Sequence, residues 1–172
     1  MQETKIVTAP TDLLTVNDVK AALAVTYTDD DTLLTSLITS ARLALEKYLG
    51  VAIGEQTLRT LVDLNGWEEF EIPYGPVTTL TTAKYKSDFG EYSTAIALDD
   101  YDVDGLDFKK FVPFTSGRWE LTYEAGYDVL PADLKTGWIR LVNWYYENRG
   151  DTGTLPEDVK RDVITYKRFN TL

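Results

Sequence analysis

Between residues 29 and 50 the apolar positions fall at three- and four-residue steps. Leu33, Leu34, Leu37, Ile38, Ala41, Leu45, Tyr48 and Leu49 share one broad face, and Thr35, Thr39, Arg42 and Glu46 take the opposite side. That spacing predicts a helix with its apolar face in a core. Asp29, Asp30 and Asp31 suit the positive end of the helix dipole, and Gly50 stands where a left-handed C-cap is wanted. Such a rod is about 30 Å long, enough to act as a spine along which other elements pack.

Upstream the pattern is weaker. Residues 1–14 read as a loose, polar start. Residues 15–25 read as a short helix, with Thr15 as N-cap, Asp18 in the capping-box position, and Val16, Val19 and Leu23 facing inward. Beyond Gly50 the period changes from helical to alternating. Residues 56–64 and 67–72 flank Asn65-Gly66, a pair that supplies the positive φ angles of a two-residue turn, and together they predict a hairpin. Short strands follow at 77–86, 92–98, 101–103, 108–114 and 118–123, with a turn at 88–91.

At Pro131 the helical period returns through Leu134, Trp138, Leu141, Val142 and Tyr145. After a loop holding Gly150 and Gly153, a last helix has Thr154 and Glu157 at capping-box spacing and a thin stripe of Val159, Val163 and Ile164. Two helices, a block of β structure and two more helices predict an α+β fold. The expected organisation is an antiparallel helical core from residues 15–50 and 131–149, with a small antiparallel β subdomain, residues 55–127, inserted between its halves. Residues 154–172 form a C-terminal arm in this reading.

With 172 residues and 44% hydrophobic content the chain can bury the core of one domain. It has no Cys and no His, which removes disulfides, thiol chemistry, the commonest general base and the commonest metal ligand. The amino-terminal residues carry neither a basic nor an apolar targeting region, and no run reaches membrane-span length, so folding in a cytoplasm without membrane contact is expected. A formal net charge of -11 repels phosphates, so contact with DNA is expected to be passage rather than grip.

Asp100, Asp102, Asp104 and Gly105 match the first half of a calcium loop, with oxygen ligands at positions 1, 3 and 5 and glycine at 6. Position 12, which needs a bidentate Glu, is Phe111. An exposed strand and turn explains the same residues, with Tyr101 and Val103 on one face; the alternative is a calcium-stabilised protein-binding module. No spacing among the 28 acids singles out a catalytic pair, and no phosphate loop is present. The chain is therefore expected to lack a catalytic site, a metal and a cofactor.

Binding surfaces are the remaining candidates. Trp144 projects away from the Trp138 and Leu141 face, Tyr146 lies at its flank, and Leu43 points off the apolar face of the spine. With Arg140 and Arg149 they have the composition of an oligomer interface, although contact with the β subdomain would account for them equally. The last segment ends in Tyr166, Lys167, Arg168 and Phe169, an aromatic and basic cluster on an acidic chain. A docking arm is expected there, made of Val159, Val163, Ile164 and that cluster, whose removal leaves the melting temperature nearly unchanged; a helix packed back on the bundle is the alternative.

The opening LLTVNDVKAALAV, then DDDTLLTSLITSARLALEKYLGVAI followed by QTLR, and the late IRLVNWYYENRGD resemble the tailed-phage head-tail connector family, also called adaptor or head-completion proteins. The resemblance extends over nearly the whole chain, through YDVDG, the LTYEAGY bend before a Pro-led helix, and the tail from Leu155-Pro156 to Arg168; the β block is longer than the family pattern. It implies a non-enzymatic ring of twelve copies at the virion neck, assembled in the host cytoplasm. Such a ring docks beneath the portal protein after DNA packaging, meets the next neck or tail-completion protein, and lets DNA pass through its lumen without specific binding.

Overall fold

A computed structural model describes residues 2–86, 92–93, 101–148 and 154–168. Its elements are β1 (Gln2–Thr8), α1 (Val16–Leu23), α2 (Asp31–Leu49), β2 (Gln56–Leu64), β3 (Phe70–Glu71), β4 (Val77–Lys86), β5 (Tyr101–Asp104), β6 (Lys110–Pro113), β7 (Gly117–Ala125), α3 (Ala132–Glu147) and α4 (Glu157–Val163), which runs into a 3-10 turn at Ile164–Tyr166. The fold class is α+β, with antiparallel sheets. Contacts divide the chain into two units, Met1–Thr11 with Gly54–Tyr127, and Asp12–Ile53 with Asp128–Leu172.

The first unit holds two sheets, of strand order β1-β2-β7-β4 and β3-β6-β5. Strict alternation on β2 and β7 builds its core. Leu58, Thr60, Val62 and Leu64 turn inward with Trp119, Leu121, Tyr123 and Ala125, and Arg59, Asp63, Arg118 and Glu124 face water. Phe111 of β6 packs edge-on to Trp119 at 5.1 Å and lies 5.0 Å from Tyr101 of β5, so aromatic contacts join the two sheets. The buried Tyr123 hydroxyl donates to the Pro73 carbonyl at 2.9 Å and meets Thr60 Oγ1 at 3.2 Å, which keeps two buried polar groups satisfied.

Two sequence expectations fail in this unit. Residues 2–8 are not a loose start but an edge strand in antiparallel register with β2, from Gln2 opposite Val62 to Thr8 opposite Thr57. All but Thr4 are exposed, so no apolar alternation could betray the strand; the ladder and a 2.9 Å contact between Thr4 Oγ1 and Thr60 Oγ1 hold it. Nor do residues 56–64 and 67–72 form a hairpin. β2 pairs with β1 and β7, and the chain after Asn65-Gly66 crosses to the other sheet, where Phe70 pairs with Phe111. The turn itself exists, closed by Glu68 N donating to Asn65 O at 3.2 Å, but a long-range partner outcompeted the local one. Of the strand expected at 92–98 only Tyr92 and Ser93 are among the described residues.

In the second unit α1 begins with the expected capping box: Asp18 N donates to Thr15 Oγ1 at 3.2 Å, and Thr15 N to Asp18 Oδ2 at 3.0 Å. Asp18 also accepts from Lys135 Nζ of α3 at 2.8 Å; that bond above all, then the two from Thr15, hold its carboxyl down at about 2. On α2 the residues Leu34, Leu37, Ile38, Ala41, Leu45 and Leu49 are buried, and Gly50 ends the helix at φ 71° with its N–H on Glu46 O. The indole of Trp138, fully buried on α3, donates to the Ile38 carbonyl at 3.0 Å.

Arg42 departs from its expected place on the polar face of the spine, being only 5% exposed. Its Nε donates to Asp12 Oδ1 at 2.6 Å and its Nη1 to Glu46 Oε2 at 2.9 Å, while Glu46 Oε1 accepts from Ile53 N at 3.0 Å. A helical pattern assigns every base to water. Here two carboxylates from the same unit replace the water.

The C-terminal segment is the largest correction. Val159 and Val163 are buried, 1% and 0% exposed, and are not available to a partner. A methyl group built on Gly137 would run into Val163 Cγ1, so α4 approaches α3 where α3 has no side chain. Arg140 of α3 pairs with Asp162 of α4, Arg168 N donates to Leu49 O at 2.8 Å, and Lys167 Nζ lies 4.3 Å above the Tyr48 ring. The N-cap is Pro156, with no side-chain cap, in place of the expected Thr154. A two-valine stripe suffices because the glycine shortens the distance it must span.

Candidate interface surfaces

The residues expected at an oligomer interface do not form one cluster with a shared state. Leu43 on α2 is 52% exposed and remains a surface apolar residue. Arg140 and Trp144 lie one turn apart on α3, but Arg140 is engaged by Asp162, and Trp144 is half-buried with its ring 5.7 Å from Tyr145 in edge geometry. Tyr146 donates to Asp30 Oδ2 at 2.5 Å and meets the Tyr27 hydroxyl at 3.1 Å. The hydrogen bond to Asp30, followed by that to Tyr27, pushes its hydroxyl up to about 12. Arg149 and Phe169 lie outside the described residues. In the last segment Ile164 is exposed and Tyr166, Lys167 and Arg168 are half-buried.

The half-calcium sequence is strand and turn. Tyr101 and Val103 of β5 pair opposite Pro113 and Phe111 of β6, and Phe111, in the place of the twelfth ligand, is fully buried. The carboxylates of Asp102 and Asp104 accept from the backbone N–H of Val103 and Gly105 at 2.8 and 2.7 Å. Asp100 lies outside the described residues, and among those described no group of three acids could hold a metal ion. Millimolar calcium is accordingly expected to leave the melting temperature unchanged. Specific binding at a hundredfold excess over Kd would add about 2.7 kcal/mol, an upward shift that magnesium would not reproduce.

One surface was not anticipated from sequence. Trp67 is 71% exposed and stacks on Phe114 with centroids 4.5 Å apart and planes 24° from parallel. The available signal was the run Gly66-Trp67-Glu68-Glu69-Phe70-Glu71, in which a tryptophan occupies a turn beside three acids. Asp63, four residues earlier on β2, holds Arg118 through two bonds of 2.7 and 3.0 Å, and that guanidinium above all brings the Asp63 carboxyl down to about 2.

Residues 12–155 match the family model described as head completion protein. No curated protein sequence matches the chain. Among solved structures it is similar to a chain in the neck of an empty GTA particle computed with C6 symmetry, with TM-score 0.79, 22% identity, and 99% of this chain and 97% of that one covered. A chain of the virion of a native gene transfer agent particle gives TM-score 0.77 at 22% identity, covering 98% and 97%. The neck of a native GTA particle computed with C12 symmetry gives TM-score 0.74 at 22% identity, covering 99% and 97%. At that identity the likeness is one of fold.

Proposed function

Because the chain belongs to the head completion protein family, a family of structural virion proteins and not of enzymes, we propose that it is a component of the neck of a phage or phage-like particle, placed at the head–tail junction. The observation that carries this reading is the family match over residues 12–155, which takes in α1, α2, the strands from β2 to β7 and α3. Fold likeness to chains from particle necks computed with C6 and C12 symmetry supports a ring of identical copies, twelve in the virion. In this reading the ring docks beneath the portal protein, meets the next neck or tail-completion protein on its other side, and lets DNA pass. The formal charge of -11 per chain favours passage, since a wall with excess carboxylates gives phosphates no counter-charge. Among the described residues no helix is long and apolar enough to cross a membrane.

Leu43 and Trp144 are proposed as contacts between copies. Ile164, Tyr166, Lys167 and Arg168, the part of the last segment at the surface, are proposed to meet the portal, with Val159 and Val163 holding that segment in place. Depleting the chain from its parent particle tests the function. DNA-filled heads and separate, complete tails are expected, restored to joined particles by the wild-type chain; normal yields of joined, infectious particles without it would remove the neck role.

A further inference from the structure

Two of the 11 glycines follow an acid or its amide, in Asn65-Gly66 and Asp104-Gly105. At such a step the glycine nitrogen can close on the preceding side-chain carbonyl, because no Cβ crowds the approach. In an unfolded chain the asparagine reacts the faster, a carboxylate being the poorer electrophile. The folded turns are built to opposite effect. Gly66 N donates to Ser116 Oγ at 2.8 Å, which holds the proton that must leave before that nitrogen can attack. Asn65 Nδ2 donates to Glu68 Oε2 at 3.0 Å, and the same oxygen accepts from Asn65 N at 2.8 Å, so the side-chain amide is clamped to Glu68. A Cβ on Gly66 would stand 3.0 Å from the Phe114 carbonyl oxygen, and the turn has little room to rotate. At Asp104-Gly105 the nitrogen instead faces the group it would attack: Gly105 N lies 2.7 Å from Asp104 Oδ1, and both residues are exposed in the turn from β5 to β6.

We propose that Asp104 is a site of spontaneous isomerisation to isoaspartate in the folded chain, and that Ser116 and Glu68 keep Asn65 from the corresponding deamidation. In the protonated form of the Asp104 carboxyl, Gly105 N bonds to Cγ. The Cγ–OH bond breaks, and the hydroxyl leaves with the amide proton as water, closing a five-membered succinimide. Water from solvent then opens the ring. Cleavage of the new N–Cγ bond restores aspartate, and cleavage of the original peptide bond to Gly105 N leaves the main chain running through the side chain with an added methylene. That methylene falls at the end of β5, where Asp104 pairs with Lys110, so the product disturbs the register of β5 on β6. At Asn65 the same attack would expel ammonia, and hydrolysis would leave an acid in place of the amide. The fold thus reverses the order of reactivity that the two dipeptides have as sequence.

The test is peptide mapping by mass spectrometry on the full chain held for weeks at neutral pH in heavy-oxygen water, folded and in parallel in urea. Each passage through a succinimide leaves a heavy oxygen at the reacting position, whichever product forms. In the folded chain, label and isoaspartate are expected at position 104 with Asn65 intact; in urea, Asn65 is expected to react first. Ser116→Ala, an exposed substitution that frees the Gly66 N–H, is expected to raise the loss of Asn65 about fivefold to tenfold, the worth of one hydrogen bond. Asp104→Asn places two Asn-Gly steps in one molecule. Folded, position 104 is expected to convert about tenfold faster than Asn65, the worth of the two bonds that guard Asn65, and in urea the two rates should be alike. An unlabelled position 104 in the folded wild-type chain, a folded Asn65 that deamidates as fast as in urea, or equal rates at the two positions of folded Asp104→Asn would each overturn the proposal.

Discussion

Arg42→Ala is expected to destabilise the helical unit by about 3–5 kcal/mol, read from chemical denaturation. The guanidinium, 6% exposed, is the shared partner of Asp12 and Glu46, whose side chains are 36% and 13% exposed. Asp12 regains water when Arg42 is removed, but Glu46 keeps most of its burial and loses its counter-charge, so the larger share of the loss falls there. Glu46 also receives the Ile53 N–H, which ties the end of the spine to the segment leaving it. A loss below about 1 kcal/mol would mean that solvent reaches the pair and that it behaves as a surface ion pair.

Removing residues 154–172 is expected to lower stability by about 3–6 kcal/mol, on the basis of about 1.5–3 kcal/mol for each buried valine. This is the opposite of the near-neutral result the sequence suggests for a free arm. The deletion exposes the α3 surface around Gly137 that Val159 and Val163 cover, and it removes the Arg168 N–H that caps the Leu49 carbonyl. Gly137→Val probes the same contact with the chain intact and should cost about 1–3 kcal/mol by overpacking against Val163. A truncated chain with the melting temperature of the whole protein, together with a tolerant Gly137→Val, would return the segment to the status of an arm.

The elements most legible in the sequence were those with a strong local signature. The spine from Asp31 to Leu49, its Gly50 cap and the Thr15–Asp18 capping box are dictated by residues close together in the chain, and the structure has them where the pattern put them. The alternation of Trp119, Leu121 and Tyr123 likewise survives as the buried side of β7. What escaped depends on partners far away in sequence. β1 has no apolar period because almost nothing in it is buried, and it is a strand only because β2 lies beside it. Arg42 looked solvated because Asp12, thirty residues earlier, is invisible to a helical wheel. The burial of α4 hangs on Gly137, whose role is to be absent where Val163 arrives. For the interface residues, periodicity identified side chains off the core face but could not foresee that Asp162 and Asp30 would engage Arg140 and Tyr146.

The family assignment and the neck role meet most directly in electron microscopy of the parent particle, purified with this chain carrying a small epitope at its amino terminus. A closed ring of this α+β fold is expected at the head–tail junction, between portal and tail, with twelve copies around the DNA channel and antibody label confined to that level. Particles that contain no copy of the chain, or label distributed over the capsid or along the tail with none at the junction, would contradict it.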